Sequence, residues 1–462
     1  MRQFSQSEIG TERTPNWLDV RDVKWSLRPA WRTFLFLAPI IAGAAYLIWD
    51  GIRVSQVTYQ VNTVSVTDIK KAIQRDPANA DLIHRLGVVQ WSNPADIDLN
   101  ESLKNLRQAV VLNPRRWDYW LDLGTGCDSA GDRAGADEAF ARALALNPMT
   151  PATQWALANH YLLTDRQEMA FPYFHRLLEM DPAYLGAVYR LCFRALRDPQ
   201  AIYAGVVPKD KDASPRVAFL IFLLAADDYE NAMRIWAQML AGPDRTPAVA
   251  QIKPFLDLLI QKDRLAEAGT VWHDLQHAGV VPPGPPSPDG NLLFNGSFEQ
   301  PPLNTGFDWR TSDSPELDFS FPESSAYEGA KCLRVDFVVG RNAEIAVLSQ
   351  VVLVKPSTRY RLTAFVRSDN LNSESGPQLR MDEIGCQSCG PRTSEMTLGN
   401  TPWHPVEVIF LTSPQAQAVR VSLYRPQDHN YHSDITGKLW LDDVALRPLD
   451  VHSPEANSGR PR

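Results

Sequence analysis

The chain is 462 residues long, about three ordinary domains, so a single compact core does not account for it. Its composition, 44% apolar and 22% charged, sits at the globular norm and excludes wholesale disorder. With 46 basic against 54 acidic residues the net charge is −8, which argues against a nucleic-acid partner, and 5 cysteines are too few for a disulfide-built scaffold.

After a polar segment, 1–32, residues 33–49 read TFLFLAPIIAGAAYLIW without a charge. At about 1.5 Å per residue this run spans roughly 26 Å, and Trp31 and Trp49 bracket it where indoles favour membrane interfaces. Pro39 is a tolerable defect in such a span. Arg21, Lys24, Arg28 and Arg32 precede the run, and only Arg53 follows closely. The positive-inside rule then predicts a single-pass membrane protein with its N-terminus cytoplasmic and its bulk extracytoplasmic, with 50–67 as connector; a bacterial inner membrane and periplasm are expected by analogy only. A cleaved signal peptide is the competing reading, with Ala42-Gly43-Ala44 as the cleavage site, but the polar lead is long for one. A buried helix of a soluble domain is the third.

From residue 68 to 278 the pattern is helical and periodic. Asn113-Pro114, Asn147-Pro148 and Asp181-Pro182 recur every 34 residues, and Asp76-Pro77 lies 37 before the first. A fixed period of this length predicts stacked two-helix units, about six of them here. In the clearest unit Leu123 and Phe140 are large enough to fill the space between two helices. Gly124 and Ala136 are small enough to let the helices cross closely, and Pro148 stops the second helix.

Trp120, Leu123, Gly124, Gly131, Ala136, Phe140, Ala143 and Pro148 stand at the marker positions of the tetratricopeptide repeat, which this unit resembles; Cys127 replaces a usual Tyr. The next unit keeps Trp155, Leu157, Ala158, Tyr161, Ala170, Phe174 and Pro182 in the same register. The resemblance implies a scaffold that docks a partner protein in a groove lined by the first helices. His84, Trp91, Trp155, Asn159 and Tyr189 are the groove candidates, with Leu121 and Phe193 beside them; each aromatic either lines the groove or packs against a neighbouring repeat.

A proline run, 279–290, separates this region from the last, and its polyproline propensity predicts a semi-rigid linker. Over 291–449 short alternating runs between turn residues predict about nine strands, beginning with 292–298, and hence an all-β two-sheet sandwich; a tail, 450–462, reads as disordered. Asn291-Leu-Leu-Phe-Asn-Gly-Ser-Phe-Glu299, Tyr327-Glu-Gly329 before Cys332, and Trp440-Leu-Asp-Asp-Val444 make this region similar to the jelly-roll carbohydrate-binding modules of the galactose-binding-like type.

That resemblance implies pairing of the first and last segments and a structural calcium near them, with Glu299, Asp442 and Asp443 as candidate ligands; the same acids otherwise cap turns or face water. It also implies glycan contact through aromatic faces. Trp309, Tyr327, Tyr424 and Tyr431 are the candidates, against core packing for each, while Trp403 is expected to be structural.

Cys386-Gln-Ser-Cys389 lacks the further ligands of a zinc site and the strand–helix context of a redox motif; with the domain outside the cytoplasm a small disulfide loop is expected, a free thiol pair being the alternative. His273 and His277 are expected on a solvated face, and no G-x-S-x-G, P-loop or G-x-G-x-x-G run occurs. The expectation is therefore a non-enzymatic, membrane-anchored scaffold with no required cofactor. It docks a protein partner through its repeats and a glycan through its sandwich, in surface-polysaccharide or envelope assembly. A protein adaptor whose sandwich binds no sugar is the alternative, and a glycan-processing enzyme the remote one.

Overall fold

A computed structural model describes residues 38–49, 65–95, 97–209, 212–242, 246–285, 287–338, 344–427 and 434–449. The chain divides into two compact units, Met1–Pro148 and Met149–Arg462.

Residues 38–49 form helix α1, in which Ile40, Ile41, Tyr46, Leu47, Ile48 and Trp49 are exposed. The start of the predicted span, 33–37, lies outside the described residues. No helix among the described residues is long and apolar enough to cross a membrane.

The rest of the first unit holds α2 (Val66–Arg75), α3 (Ala80–Ser92), α4 (Leu99–Leu112), α5 (Trp117–Ser129) and α6 (Arg133–Leu146). Pairs α3–α4 and α5–α6 are the hairpins that the period predicts. A Cβ on Gly87 would lie 2.7 Å from Leu106 and one on Gly124 2.6 Å from Phe140, so small residues set the close crossing in both. Asn113 and Asn147 cap α4 and α6, each main-chain N–H bonding the carbonyl four residues back before the proline ends the helix.

The second unit continues with α7 (Pro151–Leu163), α8 (Gln167–Met180), α9 (Leu185–Leu196), α10 (Pro199–Gly205), α11 (Ser214–Ala225), α12 (Tyr229–Ala241), α13 (Val249–Gln261) and α14 (Leu265–His277). Asp181 ends α8 with the same cap. The small-then-large pairs Ala232–Trp236 and Ala268–Trp272 are buried, and the Trp236 indole donates to Asp274 one hairpin further on at 2.8 Å.

The β region has strands β1 (Arg310–Thr311), β2 (Leu317–Ser320), β3 (Leu333–Phe337), β4 (Ile345–Leu353), β5 (Arg359–Leu371), β6 (Gln378–Glu383), β7 (Arg392–Thr393), β8 (Gly399–Leu411), β9 (Ala418–Arg425) and β10 (Gly437–Pro448). They form two five-stranded antiparallel sheets, ordered β1-β4-β9-β6-β7 and β2-β3-β10-β5-β8. Alternate side chains of both sheets, among them Leu348, Leu362, Leu423 and Leu441, make the core between them.

The strand expected over 292–298 is instead a series of turns, because Asn295 and Phe298 take positive φ of 50° and 53°. It still meets the last strand: Leu292 N–H donates to the Leu446 carbonyl at 2.9 Å, and Val444 N–H to that of Gly296 at 2.9 Å. The buried Gln350 amide closes on both polar main-chain groups of Phe294, at 2.8 and 2.9 Å.

The proline run does not act as a spacer. The outer face of the first sheet lies on α13 and α14, so Val351, Ala418, Phe294 and Phe307 belong to the same core cluster as Leu256 and Trp272. Trp272 meets Phe294 and Phe307 edge-on, with ring centroids 5.4 and 6.1 Å away. Gly306, at φ 59°, passes under that indole where a Cβ would lie 2.3 Å from the ring. Asp257 of α13 accepts from Arg310 at 2.8 Å, Thr305 Oγ1 at 2.9 Å and Gly306 N–H at 3.3 Å. Burial raises its pKa, but bonds from Lys253 and Arg310 outweigh that and hold it below the usual carboxylate range.

Asp308 is fully buried beside this junction, accepting from the N–H groups of Leu303 and Trp309, both at 2.7 Å. Burial pushes its pKa up to about 6, from 3.8. Between those values the folded chain binds more protons than the unfolded one, so stability falls as pH rises through that window. The loss is about 3 kcal/mol from the folded-state shift. The melting temperature of the wild type relative to Asp308→Asn should therefore fall from pH 4 to pH 7, and a flat difference would refute this assignment.

Candidate functional site

Among the described residues, none of the second sheet belongs to the core cluster that the helices share with the first sheet. On β5 the residues between the core positions point outward, placing Phe365 and Arg367 there; Trp440 and Asp442 stand beside them on β10, and Trp403 on β8. The 322–331 loop folds over this face and lays Tyr327 flat on Phe365, with centroids 3.7 Å apart and planes 13° apart. Trp403 is 5.8 Å from Tyr327, and Tyr327 remains 44% exposed. Arg367 lies 4.6 Å from the Trp440 ring centre and Arg334 5.7 Å. The result is a solvent-facing aromatic surface edged by guanidinium groups. Trp403 is thus part of the outer surface rather than the core; alternation along β8 turns it outward with Pro405 and Glu407.

Two acids hold the loop that carries Tyr327. Asp442 is fully buried; one oxygen accepts from the N–H groups of Tyr327 and Glu328 at 2.8 and 3.2 Å, and the other from Asp443 N–H at 2.8 Å. Glu299 accepts from Ala330 and Lys331 N–H at 2.8 and 3.3 Å, and Gly329, at φ 75°, leaves room for that carboxylate where a Cβ would sit 2.1 Å away. In this structure Glu299 and Asp442, two of the three expected calcium ligands, clasp main-chain N–H groups of the loop. Asp443 turns away at a bulge with φ 45°, and burial and the neighbouring Glu328 and Asp289 charges raise its pKa.

The other glycan candidates separate. Trp309 is 1% exposed and donates its indole N–H to the Asn295 carbonyl at 3.0 Å, so it is core, not surface. Tyr424 lies on the outer face of the first sheet, half-buried, with Arg380 4.3 Å from its ring centre and its hydroxyl donating to Glu344 at 2.5 Å. Tyr431 lies outside the described residues.

The groove candidates also divide. Tyr189 is buried, its hydroxyl bonded to the Pro215 carbonyl at 2.9 Å, so it packs between repeats and lines no groove. His84 is 2.7 Å from Asp122 and stacked on Tyr119 at 4.2 Å. Trp91 is half-buried, with its indole N–H lacking an acceptor among the described residues. Trp155 is half-buried near Tyr184 and Phe174, and Asn159 donates back to the Trp155 carbonyl at 2.7 Å. A depression of about 680 Å³, lined by Met149, Pro172, His175, Arg176, Glu179 and Met180, is a surface that the sequence reading missed. The exposed Met149 beside a helix-interior proline is the signal it overlooked.

Cys386 and Cys389 form a disulfide, and Cys127, Cys192 and Cys332 are free and buried. His273 and His277 are exposed on α14.

No protein-family model matches the chain, and no curated protein is similar to it. Among solved structures, a Family 16 Carbohydrate Binding Module-2 aligns at 19% identity over 34% of this chain and 99% of its own, with a TM-score of 0.25. A crystal structure of MamA aligns at 16% identity over 43% of this chain and 89% of its own, with a TM-score of 0.26. The enzymatically active domain of bacteriophage CBA120 tailspike protein 4 aligns at 12% over 35% of this chain and 22% of its own, with a TM-score of 0.27. The chain's own elements show a region of paired helices followed by an antiparallel two-sheet β domain.

Proposed function

We propose that this chain is a non-catalytic docking scaffold that holds a protein partner on its helical repeats and a glycan on the outer face of its second sheet. The observation that carries the glycan half is the stacked Tyr327–Phe365 pair with Trp403 beside it, open to solvent. Aromatic faces pack against the C–H faces of pyranose rings, and Arg367 offers N–H donors at the edge. The shared core of α13, α14 and the first sheet supports the scaffold half, because it holds the sugar-facing surface at a fixed distance from the last repeats. The N-terminal apolar run, 33–49, is proposed as the anchor that places this bulk outside the cytoplasm. Tethering near a membrane raises the effective concentration of both surfaces for envelope components.

The test is binding of the full chain, in detergent, to an array of bacterial polysaccharides. Tyr327→Ala and Trp403→Ala should each weaken a positive signal about 2- to 10-fold, the value of one stacked aromatic. A blank array favours an adaptor that binds protein alone.

A further inference from the structure

We infer that Glu383, Cys386 and Cys389 form a site for a zinc-class divalent cation when the two cysteines are reduced, and that disulfide formation closes it. In the sequence this C-x-x-C pair lacks further ligands. The fold supplies one: β6 ends at Glu383 and runs directly into the hairpin, so a carboxylate oxygen and both sulfurs all lie within 4.8 Å of one another. Among the described residues this is the one such group of three. Ligand atoms around tetrahedral zinc stand about 3.3–3.8 Å apart, given Zn–S of about 2.3 Å and Zn–O of about 2.0–2.2 Å. Opening the S–S bond brings the three donors toward that spacing.

The carboxylate is already aimed. Ser413 N–H donates to its Oε2 at 3.0 Å and Ser413 Oγ to its Oε1, which leaves a lone pair on each oxygen for a metal. Such outer hydrogen bonds orient metal-ligating carboxylates. The three side chains are half-buried, at the edge of a depression of about 800 Å³ whose lining includes Asp263, Gln387, Ser388 and Gln415. Water or a further donor from a bound molecule completes the fourth position there.

The chemistry balances through a dithiol reductant. The dithiol gives two electrons and two protons, the Cys386–Cys389 bond breaks to two thiols, and the dithiol becomes a disulfide. Metal uptake then releases both thiol protons to solvent, leaving two thiolates and one carboxylate on the cation. A disulfide oxidant reverses this: the Cys386 and Cys389 thiolates give it two electrons as their S–S bond forms, it takes up two protons to become a dithiol, and the metal, left with one protein ligand, is released. The inference does not rest on the docking reading, and it makes metal content follow the redox state of the compartment.

The full chain in detergent would be compared in its oxidised form and after anaerobic reduction by a phosphine, then titrated with Co²⁺ and displaced with Zn²⁺. The reduced chain should take up one equivalent, with thiolate-to-cobalt charge-transfer absorption, and the oxidised chain none. Glu383→Gln, which keeps both thiols, should weaken binding about tenfold or more. Because Glu383 also anchors Ser413, Ser413→Ala serves as the control: it keeps all three ligands and should keep the one-to-one stoichiometry. The inference is overturned if the reduced wild type binds no metal, or if Glu383→Gln binds as tightly as the wild type.

Discussion

Replacing Trp272 with alanine should separate one cooperative unfolding event of the second unit into two. The indole is 6% exposed and fills the space between α14 and the sandwich, edge-on to Phe294 and Phe307. Removing so large a buried side chain typically costs about 3–5 kcal/mol, the lost transfer energy plus the cavity left behind. Little of that cavity can collapse here. Gly306 is held under the ring by its own N–H bond to Asp257, which also fixes Arg310 and Thr305. The loss therefore falls on the junction rather than on either core. Calorimetry should show two transitions, and limited proteolysis should open the 279–290 run, with the inner core of the sandwich still formed. One transition at the parental temperature would mean that helices and sandwich are merely adjacent.

The second large effect is expected at Asp442. Alanine there strips the acceptor from three main-chain N–H groups, those of Tyr327, Glu328 and Asp443. Orphaned buried donors cost about 1–3 kcal/mol, so the sandwich should lose roughly 2–3 kcal/mol once the loop relaxes to water. The functional consequence is larger than the stability figure. Tyr327 is carried by that loop, so its ring should leave Phe365 and glycan binding should fall at least as far as in Tyr327→Ala, with the tyrosine itself intact. Adding a chelator to the oxidised wild type, whose Cys386–Cys389 disulfide is closed, should change neither melting nor binding. A chelator-dependent melt would restore Glu299 and Asp442 as cation ligands and displace the clasp.

Much of the helical region was legible because its determinants are local and repeat. An Asx–Pro step every 34 residues ends each second helix wherever it occurs, and a glycine opposite a phenylalanine sets a close crossing, as at Gly124 and Phe140. The strands from β2 to β10 were legible through alternation except the two-residue β7 and the first half of β8, which lies before Val406. The turn over 292–298 was not, because its apolar spacing suits a strand while positive φ at Asn295 and Phe298 is imposed by contacts with the last strand. Whether an aromatic faces water was also out of reach. Trp309 and Tyr189 went to the core and Trp403 to the surface, since burial depends on which element covers the residue and not on its type.

The amino-acid order alone determined the run of two-helix units, the change to β structure after the prolines, and the pairing chemistry available to Cys386 and Cys389. The tertiary structure decided everything that depends on residues far apart in the chain. It joined α13 and α14 to a sheet face through Trp272 and Asp257, turned two supposed metal ligands into clasps for a loop, and gathered Tyr327, Phe365 and Trp403 from three segments into one surface. The physical reason is range. Periodicity and capping act over a few residues and are written in order, whereas burial and ligand geometry are properties of neighbours that only folding supplies.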